Sequence, residues 1–137
     1  NELKSARFKN TVHQVCMSHA NNKFVKAGNQ GSEPVAIRFS NLLKRFFSKE
    51  HVYDEAGLTP EERLRERQSL ETKELLIELR SLLDSELLKD SEFRSRYYRE
   101  ALNYLNWFWK EIFAYLGDGE LPIDNNLAER TIRKLTT

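Results

Sequence analysis

Apolar side chains recur along most of the chain at the three- and four-residue spacing of amphipathic helices, and only residues 12–17 alternate loosely as a strand does. This stretch, Val-His-Gln-Val-Cys-Met, contains β-branched residues and is predicted to form one short strand. A short helix is predicted from His19 to Ala27, with Phe24 facing inward and Gly28 at its C-terminal end. The chain is thus expected to begin with a strand and a short helix.

A second helix is predicted from Ser32, a capping-type residue, to about Ala56, where Gly57 would end it. Pro34 is compatible with this helix because it falls in the first turn. One face of the predicted helix is apolar and consists of Val35, Phe39, Leu42, Leu43, Phe46 and Phe47.

Residues 59–62 read Thr-Pro-Glu-Glu and give the clearest start signal, because the Thr hydroxyl can cap and the second Glu completes a capping box. One long helix is predicted from there to about Leu88. Its charged first half, Glu61 to Lys73, is expected to project or to be solvated, and it would suit contact with a partner or DNA. An apolar stripe follows only from the middle onward, at Leu75, Leu76, Leu79, Leu82 and Leu83.

Ser91 is predicted to start the central helix, which carries the widest apolar face in the chain and ends at the Gly-Asp-Gly of residues 117–119. Pro122 keeps the residue before it extended, and a final helix follows. The prediction is therefore a mainly α fold, a helical bundle with at most one or two short strands near the N-terminus.

Composition places the chain among ordinary globular domains. Its 137 residues suit one domain, with 39% apolar and 31% charged residues. No apolar run approaches the roughly 18 residues of a membrane-spanning helix. Cys16 is the single cysteine, so an internal disulfide is excluded. A soluble, cytoplasmic protein without membrane contact is expected. The first residue is Asn rather than Met, which suggests a piece of a longer protein.

The net charge of +1 conceals an asymmetry. Residues 1–50 hold nine Lys or Arg against three Asp or Glu, a balance of +6, so the remaining 87 residues balance at −5. A basic segment can neutralise phosphates, but lysines scattered over a solvated surface give the same pattern. Charge alone leaves both interpretations open.

Glu129 has two interpretations from its neighbours. If Asn126 is an N-cap, Glu129 is the third helical residue and its carboxylate completes a capping-box variant, with Arg133 one turn further on. Alternatively the carboxylate is a ligand for Mg²⁺, which prefers oxygen. One carboxylate cannot build a two-metal phosphoryl-transfer site, so further acids would have to come from elsewhere.

Cys16 and His19 form a Cys-x-x-His pair at the end of the predicted strand. Zinc normally takes four ligands, and only His13 and His51 remain as further nitrogen donors, so a zinc site is not favoured. The simpler interpretation is a buried thiol beside a hydrogen-bonded histidine. A Cys/His nucleophile would need a third, orienting group, which the pattern does not supply.

Aromatic and basic residues near the C-terminus are candidates for nucleic-acid contacts. Trp109 is most simply a core residue. Trp107 lies off the main apolar stripe and is the better candidate for stacking on a base, although packing is the simpler interpretation for it too. Arg130, Arg133 and Lys134 could contact DNA phosphates or form a solvated face.

Three stretches resemble elements of the insertion sequence sixty-six family of bacterial transposases. Residues 123–133, Ile-Asp-Asn-Asn-Leu-Ala-Glu-Arg-Thr-Ile-Arg, resemble its Ile-Asp-Asn-Asn-x-Ala-Glu-Arg-x-Ile/Leu-Arg signature. Residues 16–24, which contain Cys-Met-Ser-His-Ala and Lys-Phe, are similar to its Cys-Trp-x-His-Ala-x-x-Lys-Phe element. Residues 58–63, Leu-Thr-Pro-Glu-Glu-Arg, resemble its Leu-Ser-Pro-Glu-Glu-Arg element. The matches occur in the family's order.

The resemblance implies a DDE transposase, in which a ribonuclease-H-like core brings two aspartates and one glutamate around two Mg²⁺ ions for DNA strand cleavage and transfer. Glu129 matches the catalytic, metal-binding glutamate, and Asp124, Asn125 and Asn126 would start and position its helix. The intact transposase would act on the DNA ends of its mobile element, and it would bind them as a homo-oligomer.

The resemblance also implies an internal organisation for a single domain. Residues 1–28 would be a core strand and short helix, 29–90 a helical insertion, and 91–137 the central helix and glutamate helix. Both catalytic aspartates are expected upstream of residue 1, so the fragment alone is expected to bind no Mg²⁺ and to be inactive.

The chain departs from the family pattern at several positions. Met17 stands where the family usually has Trp, Asn21 and Asn22 where Arg is common, and Lys134 where Pro is usual. These differences affect DNA contacts near the N-terminus more than the assignment of Glu129. The alternative function is a non-catalytic helical module that binds DNA or protein.

Overall fold

The computed structural model describes residues 17–89 and 94–124, and these residues are mainly helical. Its elements are α1 (Met17–Gln30), α2 (Pro34–Ala56), α3 (Pro60–Arg67), α4 (Leu70–Leu88), α5 (Arg96–Trp107), α6 (Trp109–Phe113) and a 3-10 turn (Ala114–Gly117). The described residues contain no strand, and none of their helices has the length and apolar character that crossing a bilayer requires. The mainly α prediction is confirmed for this part of the chain.

The core lies where α1 packs against α2 and α5, with α4 covering α2 and α5. Phe24 of α1 stacks on Phe39 of α2 with 4.5 Å between ring centroids, and both rings meet the edge of Tyr98 from α5. These side chains are buried, as the predicted apolar faces required. Other buried members include Leu42, Leu43, Phe46, Leu75, Leu79, Leu83, Ala101, Leu102, Leu105 and Ile112.

The start of the fold differs from the prediction at two points. The predicted strand at 12–17 lies outside the described residues except for Met17, which is the first residue of α1. α1 also continues past Gly28 to Gln30, and the Gly31 N–H closes its last turn on the Ala27 carbonyl at 3.0 Å.

The predicted cap of α2 at Ser32 is wrong. Ser32 has a φ of 54°, in the left-handed region, and Glu33 occupies the cap position with extended backbone and no side-chain capping bond. Extended backbone is what the residue before a proline prefers, and Pro34 follows. The predicted end is confirmed, because Gly57 adopts a φ of 64°, a conformation that glycine tolerates without strain.

The predicted long helix from residue 60 to 88 is two helices. The capping box that starts α3 is confirmed, since the Thr59 hydroxyl accepts from the Glu62 N–H at 3.2 Å and the Glu62 carboxylate accepts from the Thr59 N–H at 2.9 Å. The chain then breaks at Gln68, and Ser69 caps α4 by accepting from the Thr72 N–H at 3.3 Å. The break turns the first, charged half against the rest of the molecule.

The predicted central helix is also interrupted. Its predicted start at Ser91 lies outside the described residues, and α5 begins after Ser95, whose hydroxyl accepts from the Tyr98 N–H at 3.1 Å. At Phe108 the backbone leaves helical geometry, with φ −105° and ψ 20°, so α5 ends there and α6 and the 3-10 turn follow as separate elements.

A buried carboxylate links the end of α4 to the start of α5. Glu86 accepts a hydrogen bond from the Tyr98 hydroxyl at 2.7 Å and from Lys89 Nζ at 2.6 Å, while Arg94 donates to the Glu86 carbonyl at 2.8 Å. Burial opposes ionisation, but these donors and the two positive charges outweigh it and lower the pKa of Glu86. Burial, followed by the Glu86 contact, raises the pKa of Tyr98.

Candidate functional site

The segment from Ala114 to Asp124 leads directly into the stretch that contains Glu129. After the 3-10 turn, the Asp118 carboxylate accepts from the N–H groups of Glu120 at 2.8 Å and Leu121 at 3.3 Å. Such a local side-chain bond sets a turn without regular structure. The position of this segment therefore depends on what holds it from outside.

Arg67, the last residue of α3, holds the segment by its carbonyl groups. One terminal nitrogen of its guanidinium donates to the Tyr115 carbonyl at 2.9 Å, to the Leu121 carbonyl at 2.8 Å and also to the Asp118 carbonyl. The side chain is only 1% exposed, and it lies over the Tyr115 ring at 4.8 Å from the centroid. A single buried cation thus fixes three points of the segment.

Glu50 of α2 neutralises this buried cation. Its carboxylate accepts from Arg67 Nε at 3.1 Å and from the other terminal nitrogen at 2.7 Å, a two-point geometry that is among the stronger protein ion pairs. Arg63 donates to the same carboxylate at 2.8 Å and also pairs with Asp54. Burial alone would lower the pKa of Arg63, but the two carboxylates outweigh it and raise that pKa.

Two further contacts join α3 and its end to the segment. Gln68 Nε2 donates to the Leu116 carbonyl at 2.5 Å. Gly119 lies so close to α3 that a Cβ added there would be 1.9 Å from the Pro60 carbonyl oxygen. We call the set of Arg67, Gln68 and the Gly119–Pro60 contact the α3 clasp.

The far end of the segment is tied to the start of α1. The Ser18 hydroxyl donates to Asp124 Oδ2 at 2.5 Å, across 106 residues of sequence. Both side chains are partly buried. The Cys-x-x-His element and the Ile-Asp-Asn-Asn element, which the sequence keeps far apart, therefore meet at this hydrogen bond.

Of the predicted site residues, the structure describes two. Asp124 bonds to Ser18, and His19 is half-buried in the first turn of α1. The other predicted site residues lie outside the described residues: Cys16, Asn125, Asn126, Glu129, Arg130, Arg133 and Lys134. Their predicted roles stay predictions.

The two tryptophans differ in burial, and the predicted stacking of Trp107 on a base stays a prediction. Trp109 is half-buried, lies against Phe113 at 4.5 Å between centroids and is covered by the Arg80 guanidinium at 4.9 Å. Trp107 is 46% exposed. Of the two indoles, Trp107 is the more exposed.

Within residues 17–89 and 94–124, no three His, Cys, Asp or Glu side chains come close enough together to hold a metal ion. The donor that the signature offers for Mg²⁺ is the Glu129 carboxylate, which lies beyond this part of the chain.

Sequence reasoning missed the α3 clasp. It assigned residues 61–73 to a projecting or solvated arm. Most of these residues are indeed exposed, but Arg67 is buried and Arg63 is mostly covered. One local signal was present in the sequence: Arg67 follows Arg63 by one helical turn, so both side chains lie on the same face of the predicted helix. Its acceptors are backbone carbonyls 48 to 54 residues later, and no sequence pattern encodes those.

Comparison with known proteins gives the family. The model of a family described as "Transposase IS66 family" matches residues 3–137. The uncharacterized protein y4jD of Sinorhizobium fredii (strain NBRC 101917 / NGR234) is 27% identical over 121 residues, which are 88% of this chain and 22% of that protein, so the chain spans about a fifth of this relative. No solved structure matches the chain significantly. Because the family model covers nearly all of the sequence, the chain belongs to the IS66 family of transposases.

Proposed function

We propose that this chain is the C-terminal part of a DNA transposase of the DDE type and contributes one metal-binding carboxylate, Glu129, to DNA strand cleavage and transfer. Family membership over residues 3–137 carries the proposal. The described helices would then belong to a ribonuclease-H-like core and to a helical insertion within it.

The geometry around the Ala114–Asp124 segment supports this function. A catalytic carboxylate acts only if its backbone is held within fractions of an ångström of the productive position. The segment is fixed by Arg67 at three carbonyls and by Ser18 at Asp124, just before the predicted glutamate helix.

The donor set fits Mg²⁺ only in part. The resemblance assigns one metal ligand within the signature, Glu129, whereas two Mg²⁺ ions need several carboxylates. The two missing aspartates would come from the longer protein, and the 137-residue chain alone is expected to hold no Mg²⁺. When bound, Mg²⁺ would stabilise charge on the attacking and leaving oxygens of the phosphodiester.

Within this scheme the residues around Glu129 orient the glutamate helix or contact DNA, and none of them takes part in breaking or forming a bond. Asp124, Asn125 and Asn126 would start the glutamate helix and orient its first turn. Arg130, Arg133 and Lys134, on the same helix, would contact DNA phosphates. DNA element ends are the proposed substrate, bound by a homo-oligomer.

The test uses the longer protein that contains this chain. Its cleavage of DNA carrying element ends is measured with Mg²⁺ for the unchanged protein, for Glu129→Gln and for Glu120→Gln, an exposed carboxylate nine residues earlier. Glu129→Gln should abolish cleavage, and Glu120→Gln should leave it near the unchanged rate. Equal cleavage by Glu129→Gln would overturn the proposal.

A second experiment addresses the chain by itself. The purified 137-residue chain should not cut DNA with Mg²⁺, because two of three ligand positions are missing. Cleavage by the isolated chain would contradict the assignment. If the longer protein lacks two aspartates on predicted strands, the chain is instead a non-catalytic helical module that binds DNA or protein.

A further inference from the structure

A row of cations and aromatic rings runs along the seam between α1 and α5. Lys23 Nζ lies 5.2 Å from the ring centroid of Tyr104, and Lys26 Nζ lies 4.8 Å from that of Tyr97. The guanidinium of Arg96 also lies over Tyr97, at 5.7 Å. We call this set, together with the exposed Trp107, the cation–aromatic strip.

The two helices run in opposite directions, because the later lysine of α1 lies over the earlier tyrosine of α5. The first turn of α1 is therefore near the C-terminal end of α5. Rings continue toward that end, with 5.0 Å between the centroids of Tyr104 and Phe108 and 6.3 Å between those of Phe108 and Trp107. The strip thus has cations at one end and an exposed indole at the other.

The strip is electropositive. α1 contains Lys23 and Lys26 but no Asp or Glu, and neither lysine has an acidic partner within residues 17–89 and 94–124. The acid on the α5 side is Glu100, which pairs with Arg96 at 3.6 Å. Three cations against one carboxylate leave an excess of positive charge.

The rings restrict where these charges lie. A cation over an aromatic face gains roughly 0.5–1 kcal/mol at an exposed site while it keeps its hydrogen-bond donors. Each ammonium therefore favours the position over its own tyrosine by a few-fold and can still donate to a phosphate. This differs from lysines that move freely over a surface.

The strip begins beside the candidate site. Ser18, which holds Asp124 at 2.5 Å, lies in the first turn of α1, and Lys23 follows five residues later, about 7.5 Å along the helix axis at 1.5 Å per residue. A strand bound along the strip would leave it at the segment that enters the predicted glutamate helix.

We propose that the cation–aromatic strip binds a single DNA strand, with Lys23, Lys26 and Arg96 on its phosphates and Trp107 stacked on an unpaired base. Alternation of cations and aromatic rings is the arrangement that binds single strands without sequence preference. The choice of DNA over other polyanions rests on the proposed transposase function.

Binding is measured on the 137-residue chain by fluorescence anisotropy of a labelled oligothymidine, in EDTA and over a range of salt concentrations. The double variant Lys23→Gln/Lys26→Gln should bind at least about tenfold more weakly, and the slope of log affinity against log salt should flatten by about 1.4, or 0.7 per phosphate contact. The matched control is Lys44→Gln/Lys73→Gln, which removes two exposed lysines from α2 and α4 and should change affinity less than about twofold.

Trp107→Ala tests the stacking end. It should weaken oligothymidine binding by about five- to tenfold or more, since base stacking is worth roughly 1–3 kcal/mol, and should affect a duplex of equal length much less. Equal losses on both DNA forms would overturn the single-strand assignment. The proposal that the strip binds DNA would be overturned by equal losses of affinity in the two double lysine variants. It would also be overturned if the unchanged chain did not bind oligothymidine at low salt.

The experiments distinguish a wrong assignment of the cation–aromatic strip from a wrong assignment of the transposase function. Oligothymidine binding is measured without metal and does not involve Glu129. In the longer protein, Glu129→Gln should abolish cleavage and leave this binding unchanged, whereas the lysine variant should weaken binding and raise the DNA concentration needed for cleavage.

Discussion

Arg67 and Glu50, 17 residues apart in sequence, form a buried two-point ion pair in which Arg67 Nε donates to Oε2 at 3.1 Å and a terminal nitrogen donates to Oε1 at 2.7 Å. The remaining donors of Arg67 go to carbonyls of the segment before the predicted glutamate helix. The pair therefore connects α2, α3 and that segment.

Replacing the Glu50 carboxylate measures how much the Arg67–Glu50 pair contributes to the free energy of unfolding. Glu50→Gln leaves the buried Arg67 cation without a charged partner and leaves Arg63 paired with Asp54 alone, and it is expected to lower the free energy of unfolding by about 3–5 kcal/mol. Asp84→Asn, in the exposed pair with Arg80, should lower it by no more than about 1 kcal/mol. Urea denaturation measures both.

A double variant separates loss of the pair from burial of an unpaired charge. Glu50→Gln/Arg67→Met should recover part of the stability lost in Glu50→Gln, because the unpaired cation is removed. If Glu50→Gln and Asp84→Asn prove equally mild, the Arg67–Glu50 contact does not hold the fold together.

The close approach of Gly119 to α3 predicts a steric effect of a single methyl group. Gly119→Ala would place Cβ 1.9 Å from the Pro60 carbonyl oxygen, so the backbone must shift, at a cost of about 1–3 kcal/mol. Gly117→Ala is the matched control, since no atom lies within 4 Å of its Cβ position. Thermal unfolding should show a lower midpoint for Gly119→Ala alone, and equal midpoints would argue against the contact.

The Ser69 hydroxyl caps α4 directly after the break between α3 and α4. Ser69→Ala removes the acceptor for the Thr72 N–H and is expected to lower the free energy of unfolding by about 1 kcal/mol. Ser48→Ala, at an exposed position inside α2, should be neutral or slightly stabilising. A stabilising effect of Ser69→Ala would indicate that residues 60–88 form one continuous helix.

Acid should weaken the link between α4 and α5. The pKa of Glu86 in the folded state is below its ordinary value of 4.5, so its contribution to stability is complete above that pH and is lost as the pH falls through the lowered pKa. Glu86→Gln should flatten the decline of unfolding free energy below about pH 4.5. Tyr98→Phe removes one donor and so raises the folded-state pKa of Glu86, which should make the decline smaller and end it at a higher pH. An unchanged pH profile in both variants would contradict the link.

The accuracy of the sequence predictions follows the range of the interactions involved. The capping box at Thr59 and the helix end at Gly57 are determined within a few residues, and both were predicted correctly. The break at Ser69 was also encoded locally, by a capping-type residue, but the charged run around it was interpreted as one helix. The Ser18–Asp124 bond joins residues 106 apart, and only the folded chain brings them together.

The same distinction applies to the candidate site. The Ile-Asp-Asn-Asn signature is a local string and led to the family, which the family model confirms over residues 3–137. The residues that hold the segment in front of it, Arg67 and Gln68, use backbone carbonyls as acceptors. Every residue type offers the same carbonyl, so their partners have no signature in sequence.

The Ser18–Asp124 hydrogen bond joins the two ends of the described helices. It places the entry and the exit of the described helices side by side, although more than a hundred residues separate them. A unit with adjacent ends can be lengthened, shortened or exchanged without moving the chain on either side of it. The described helices can therefore be accommodated within a longer chain as one unit, with the Cys-x-x-His and Ile-Asp-Asn-Asn elements side by side at its base.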